Sequence, residues 1–151
     1  MATEPQPGTF FGTAELARLV GSTPDEQLAA GLRANGESIV GEVFRRFPER
    51  LSPEGKRQRA AIEWRLRGMG PDGEGDAAER WFVVLEGGDC RTGRDLDVRP
   101  RVTFELGALD FLKLVTGNAN PLKLALTGKL KIRGDLLFAP RVQRFFEIPR
   151  G

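Results

Sequence analysis

The chain has 151 residues, 40% of them hydrophobic and 29% charged, with a net charge of +2. That is the length of one domain that can bury a core without staples, and so small a charge does not point to nucleic acid. There is no His, no Tyr and a single cysteine, Cys90, which excludes histidine acid–base chemistry, serine–histidine hydrolysis, His-ligated or multi-cysteine metal sites and an intramolecular disulfide.

In chain order, residues 1–9 are rich in Pro and Gly and read as a disordered tail, leaving residues 10–151 as a single domain. Thr13 can cap a short helix over Ala14 to Val20, stopped by Gly21. Thr23 and Glu26 form a T-x-x-E capping box, with Pro24 at the first helical position, and open a helix to about Ala34. Asn35-Gly36 then supplies a left-handed stop. A second helix runs from Glu37 to Phe47. Its Ile39, Val40, Val43, Phe44 and Phe47 share one face, and Pro48 ends it.

Strand patterns begin at Ala61, where Ile62, Trp64 and Leu66 alternate with Glu63, Arg65 and Arg67. Gly68 to Glu79 is a turn. Trp81 to Leu85 is a continuous apolar run, followed by the turn Gly87-Gly88-Asp89. Val98 to Leu106 alternates again, with Pro100 at an edge or a strand start. Three such strands read as an antiparallel meander. A helix then carries Leu109, Leu112 and Val115 on one face and closes at Gly117. Asn120-Pro121 opens a short helix to Leu126, closed by Gly128. Lys129 to Arg133 is a fourth strand, with Leu130 and Ile132 facing in. Asp135 caps a last helix, which Pro140 kinks or restarts and Pro149 ends. Two adjacent aromatics on that helix, Phe145 and Phe146, suit a lid over an apolar cavity or a touch on a bilayer. The order of elements is α+β, with helices on one face of a mainly antiparallel sheet.

Chemistry-bearing motifs are few. No Walker loop, dinucleotide fingerprint or metal motif is present, so no cofactor is expected. Asp110 and Asp135 stand where helices start, and capping accounts for both. Arg45, Arg46, Arg50, Lys56, Arg57 and Arg59 form a basic cluster that reads as a solvated helix end, or else as a patch for anionic headgroups. Arginine outnumbers lysine 18 to 5. That suggests a GC-rich bacterial coding bias, although Arg is also the better anion ligand. The lone cysteine suits a reducing cytoplasm. The N-terminus lacks the charged and apolar regions of a signal peptide, and no apolar run approaches the roughly 20 residues of a membrane span, so membrane contact would be peripheral.

Residues 104–146 carry a more specific pattern: Asp110-Phe111-Leu112-Lys113-Leu114, Gly117, Asn120-Pro121, Gly128-Lys129-Leu130-Lys131-Ile132 and Gly134-Asp135. In this combination the chain resembles the sterol carrier protein type 2 family, in a free-standing bacterial form. The likeness extends more weakly upstream, through Val43 to Pro48 and Trp81 to Gly88, to cover about 22 to 149. It implies a five-stranded sheet with helices on one side and an apolar tunnel between them. The fifth strand would lie near Thr92 to Leu96. It also implies non-catalytic binding and transfer or presentation of a fatty acid, acyl-CoA, sterol or isoprenoid-like lipid, with no catalytic residues to carry over. The lining expected from strand and helix faces is Trp64, Trp81, Val83, Phe104, Leu112, Leu126, Leu137 and Phe145. Two other readings stay open: an accessory interaction module with a filled core, and a carboxylate-dependent cyclase or isomerase. The sequence leaves the oligomeric state open.

Overall fold

The computed structural model describes residues 14–68 and 79–146. The expected tail, the Thr13 cap, the middle of the turn after Gly68 and the stop at Pro149 lie outside those residues.

Helix α1 (Ala14–Ser22) is followed by α2 (Asp25–Arg46). The two helices expected on either side of Asn35-Gly36 are therefore one element. Asn35 leaves helical geometry (φ −137°, ψ 25°), and the chain bends there without a left-handed residue. Leu32 and Val40, on either side of the bend, are both in the core. Packing both halves onto one surface favours a kink over a stop, because tertiary burial supplies most helical stability. The Thr23–Glu26 capping box does not form. Thr23 Oγ1 donates instead to the Leu19 carbonyl (2.6 Å), closing α1. Helix α2 starts after Pro24 with no side-chain cap, and Asp25 and Glu26 in its first turn complement the helix dipole. Pro48 does not end the helical path. It sits in the first turn of a 3-10 helix, η1 (Phe47–Arg50), where its missing N–H is not needed. Helix α3 (Pro53–Lys56) follows, capped by Ser52 Oγ, which accepts from the Gly55 N–H.

Five strands form one sheet: β1 (Ala60–Arg67), β2 (Glu79–Glu86), β3 (Asp89–Arg94), β4 (Val102–Gly107) and β5 (Lys131–Gly134), in the order β3-β2-β1-β4-β5. Gly87 (φ 62°) and Gly88 (φ 86°) join β2 to β3. Two successive left-handed residues make the tight turn whose twist matches its flanking strands. The extra strand thus lies slightly upstream of the expected Thr92 to Leu96. Three strand pairs are antiparallel, but β1 and β4 run parallel. The expected three-strand meander is therefore corrected. After the β2–β3 hairpin, residues 95–101 carry the chain back to the far side of β1, where the Arg101 N–H bonds the Ala61 carbonyl (2.8 Å). The strand expected from Val98 begins only at Val102, which leaves Pro100 outside the ladder it could not join.

Helices α4 (Ala108–Val115) and α5 (Pro121–Leu126) and a 3-10 helix, η2 (Ala139–Arg144), complete the described chain. The last expected helix is thus a 3-10 segment, with Pro140 in its first turn. The core lies between one face of the sheet and the helices. The Phe44 ring, from α2, stacks on Trp81 of β2 (4.8 Å between centroids) and on Phe111 of α4 (5.2 Å). Trp64 stacks on Phe104 (4.7 Å) across the parallel pair. Each such contact is worth about 0.5–1.5 kcal/mol beyond the area it buries.

Candidate functional site

Between the β4–β5 side of the sheet and the helices lies a cavity of about 1010 Å³, at the upper end of the roughly 300–1,000 Å³ usual for small-molecule sites. Its sheet wall is Trp64, Phe104 and Ile132, placed together because Trp64 pairs with Phe104 and Phe104 with Ile132 in the register. The end of α4 adds Leu114 and Val115, and α5 adds Pro121, Leu122 and Ala125. Segment η2 supplies Ala139, Pro140 and Val142, with Phe146 just beyond it and Phe47 from η1.

Among the described residues, no charged side chain lines this space. Its polar groups are the side-chain amides of Asn118, Asn120 and Gln143, all three exposed to solvent. The Asn120 oxygen is committed, since it accepts from the Leu122 and Lys123 N–H groups and so caps α5. Gly117 (φ 76°) and Gly128 (φ 78°) close α4 and α5 in left-handed conformations, which only glycine adopts at little cost.

The wall made by η2 is held from across the molecule. Ser52 Oγ donates to the Arg144 carbonyl, the Ser52 N–H donates to the Phe145 carbonyl (2.8 Å), and Leu51 bridges to Phe146. Gly55 is buried where any Cβ would collide with the Phe145 carbonyl oxygen. At the other end of η2, the Asp135 carboxylate accepts from the Leu137 and Phe138 N–H groups and pairs with Arg101 (3.0 Å). The Arg101 guanidinium and these backbone N–H groups hold that carboxyl below the usual aspartate range.

Of the eight side chains expected to line the site, Trp64 and Phe104 stand in the cavity wall. Trp81 and Val83 share their face of the sheet but lie in the packed core nearer β3, where Phe44 covers Trp81. Leu112 is buried on α4, and Phe145 packs against Phe138. Leu126 and Leu137 point outward, 79% and 90% exposed. Phe146 contributes to a cavity wall, so the two terminal aromatics face different ways. Leu114, Ala125, Leu130, Ile132 and Val142 also line the cavity. The inward alternation of Leu130 and Ile132 was their sequence signal. Val142 was legible as part of the apolar face of the last segment, and nothing local marked Ala125.

The titratable groups point away from chemistry in the cavity. Glu63, 1% exposed, lies on the opposite face of the sheet from Trp64. Burial pushes its carboxyl up. Hydrogen bonds from Arg80 and Thr103 Oγ1 (2.8 Å), with the Arg65 guanidinium paired at 3.2 Å, outweigh that and hold it below the usual glutamate range. Burial pushes the Cys90 thiol up to about 12, which keeps it protonated and inert. Among the described residues no group of His, Cys, Asp and Glu is arranged to hold a metal ion.

Residues 44–147 match the SCP-2 sterol transfer family. The chain belongs to that family. Human sterol carrier protein 2 is 27% identical over 139 residues, which cover 92% of this chain but 24% of that protein. This chain thus spans about a quarter of the length of that relative. The apo form of Sterol Carrier Protein 2 from Yarrowia lipolytica has the same fold, with a TM-score of 0.54 at 24% identity over 74% of this chain and 89% of that one. Sterol Carrier Protein 2 Like 2 from Aedes aegypti superimposes with a TM-score of 0.56 at 20% identity, covering 76% of this chain and 98% of its own. The SCP-2 fold therefore extends over the sheet and the helices that enclose the cavity.

Proposed function

We propose that this protein is a non-catalytic carrier that binds an apolar ligand in the cavity between sheet and helices, and transfers or presents it. The observation that carries the reading is the cavity itself: about 1010 Å³, walled by aromatic and aliphatic side chains, with polar groups confined to exposed amides. Such a site holds its ligand by burying hydrocarbon, at roughly 0.8 kcal/mol per methylene, and selects by length and shape. Membership of a sterol transfer family supports the same ligand chemistry. The relatives are named for sterol carriage, and the ligands we infer are sterols and other lipids of similar girth, fatty acyl and isoprenoid-like chains among them.

The filled-core reading is disfavoured by a space of this size. The carboxylate-enzyme reading is disfavoured by Glu63, a buried acid that lies across the sheet from the cavity with its carboxyl pushed down rather than up. No described helix is long and apolar enough to cross a membrane. A carrier that loads and unloads at membrane surfaces from a reducing cytoplasm fits the single, protonated cysteine.

Native mass spectrometry of protein purified from a bacterial host, followed by lipid extraction, tests this. A mass above that of the chain by one lipid is expected, and Ala125→Trp, which fills the cavity, is expected to lose it. A chain that stays at its own mass when acyl chains and sterols are offered would move the reading to an interaction module.

A further inference from the structure

Five large hydrophobic side chains are strongly exposed among the described residues, and four of them fall between residues 122 and 137: Leu122 (66%), Leu126 (79%), Leu136 (63%) and Leu137 (90%). Leu122 and Leu126 are four apart on α5 and therefore neighbours on one face. Leu136 and Leu137 form the turn between β5 and η2. Both pairs sit beside cavity walls, since α5 and η2 each line it and Leu122 itself does so.

Positive charge accompanies these leucines. On α5, on η2 and in the turns beside them stand Lys123, Lys129, Arg141 and Arg144, against one acid, Asp135, which is already paired with Arg101, whereas Lys131 and Arg133 of β5 share the opposite face of the sheet with Glu105. Lys123 and Lys129 are exposed and make no ion pair among the described residues. The arginines upstream are different. Arg45 and Arg46 are bridged to Glu42, and Arg46 also to Glu49, and among the described residues no strongly exposed large hydrophobic side chain lies between residues 45 and 59.

We propose that α5 and the β5–η2 turn form the surface by which this protein docks on a lipid bilayer carrying anionic headgroups. The exposed leucines enter the interfacial region, and Lys123 and Lys129 lie against the headgroup charge. Such docking sets the cavity walls of α5 and η2 at the membrane surface, so a ligand can pass without crossing bulk water. This inference rests on the carrier reading for its purpose, but not for its test.

The test is co-sedimentation of the full chain with vesicles of phosphatidylcholine alone and of phosphatidylcholine with phosphatidylserine, at low and high salt. Retention of a fluorescent fatty acid by the protein in solution is measured beside it. Binding to the mixed vesicles that weakens with salt is expected. Leu126→Ser with Leu137→Ser, and separately Lys123→Glu with Lys129→Glu, are each expected to weaken it at least about tenfold while probe retention stays at the wild-type level. The proposal is overturned if the wild type ignores anionic vesicles, or if both pairs of variants bind them as the wild type does. It is equally overturned if the leucine variants only split a dimer of this chain into monomers. A wild type that docks with this residue dependence but retains no lipid probe would sink the carrier reading and leave the docking surface standing.

Discussion

Two carboxylates stand among four arginines on the face of the sheet turned away from the cavity. Glu63 meets Arg65 and Arg80, and Glu105 lies within 4.0 Å of Arg67 and Arg133. Glu63 is the sealed one, flanked in the register by Phe82 and Thr103. Its carboxyl titrates lower in the folded chain than in the unfolded one. The stability it supplies is therefore complete above the unfolded value and is lost as pH falls through the folded value. Thermal unfolding followed from neutral pH to below about pH 4 should show a falling Tm, and Glu63→Gln should flatten that acid limb. At neutral pH, Glu63→Ala removes the bonds to Thr103 and Arg80 but leaves Arg80 and Arg65 in reach of water, and should cost about 1–2 kcal/mol in denaturant unfolding. A Tm for Glu63→Gln that falls on acidification as steeply as the wild type's would show that other groups carry the acid response. Alternation alone assigned Glu63 to water. The neighbours that bury it come from β2 and β4, and strand pairing is a long-range fact that no local pattern contains.

At the scale of elements, the cavity depends on how η2 is fastened. A 3-10 segment of six residues has little stability of its own, so its position is set by the Ser52 hydroxyl at one end and the Asp135 carboxylate at the other. Ser52→Ala removes both the α3 cap and the bond to Arg144. It should cost about 1–2 kcal/mol and speed ligand release, measured by denaturant unfolding and by the off-rate of a lipid probe. A destabilised variant with an unchanged off-rate would show that the η2 wall is not what retains ligand. The elements made by local chemistry were legible: the Asn120-Pro121 start of α5, the glycine stops at 117 and 128, the Gly87-Gly88 turn and the inward Leu130 and Ile132. Where two local choices competed, or distant partners decided, the outcome was not. Thr23 bonded the Leu19 carbonyl four residues back in place of capping α2, and Asn35 bent between two buried halves of one helix. Pro100 fell outside the sheet because the chain had to cross to the far side of β1. In the site, strand register put Trp64 and Phe104 in the wall. The outward turn of Leu126 and Leu137 depends on the helix azimuth and the turn path, which periodicity over a short segment does not settle.

For the whole molecule, one face of the sheet is a packed core toward β3 and a cavity wall toward β5. The two tryptophans fall on either side of that division. Trp81 stacks between Phe44 and the sheet, and Trp64 borders the cavity beside Phe104. With no tyrosine in the chain, every photon of its near-ultraviolet emission worth measuring comes from these two indoles. The protein therefore carries its own optical gauge of occupancy. In Trp81→Phe, the remaining indole borders water when the cavity is vacant and hydrocarbon when it is filled. Titration with a sterol or fatty acid should shift its emission to the blue and slow its quenching by acrylamide. The mirror variant, Trp64→Phe, should show a spectrum that ligand leaves unmoved, because the indole it keeps is shielded by Phe44 whether or not the cavity is loaded.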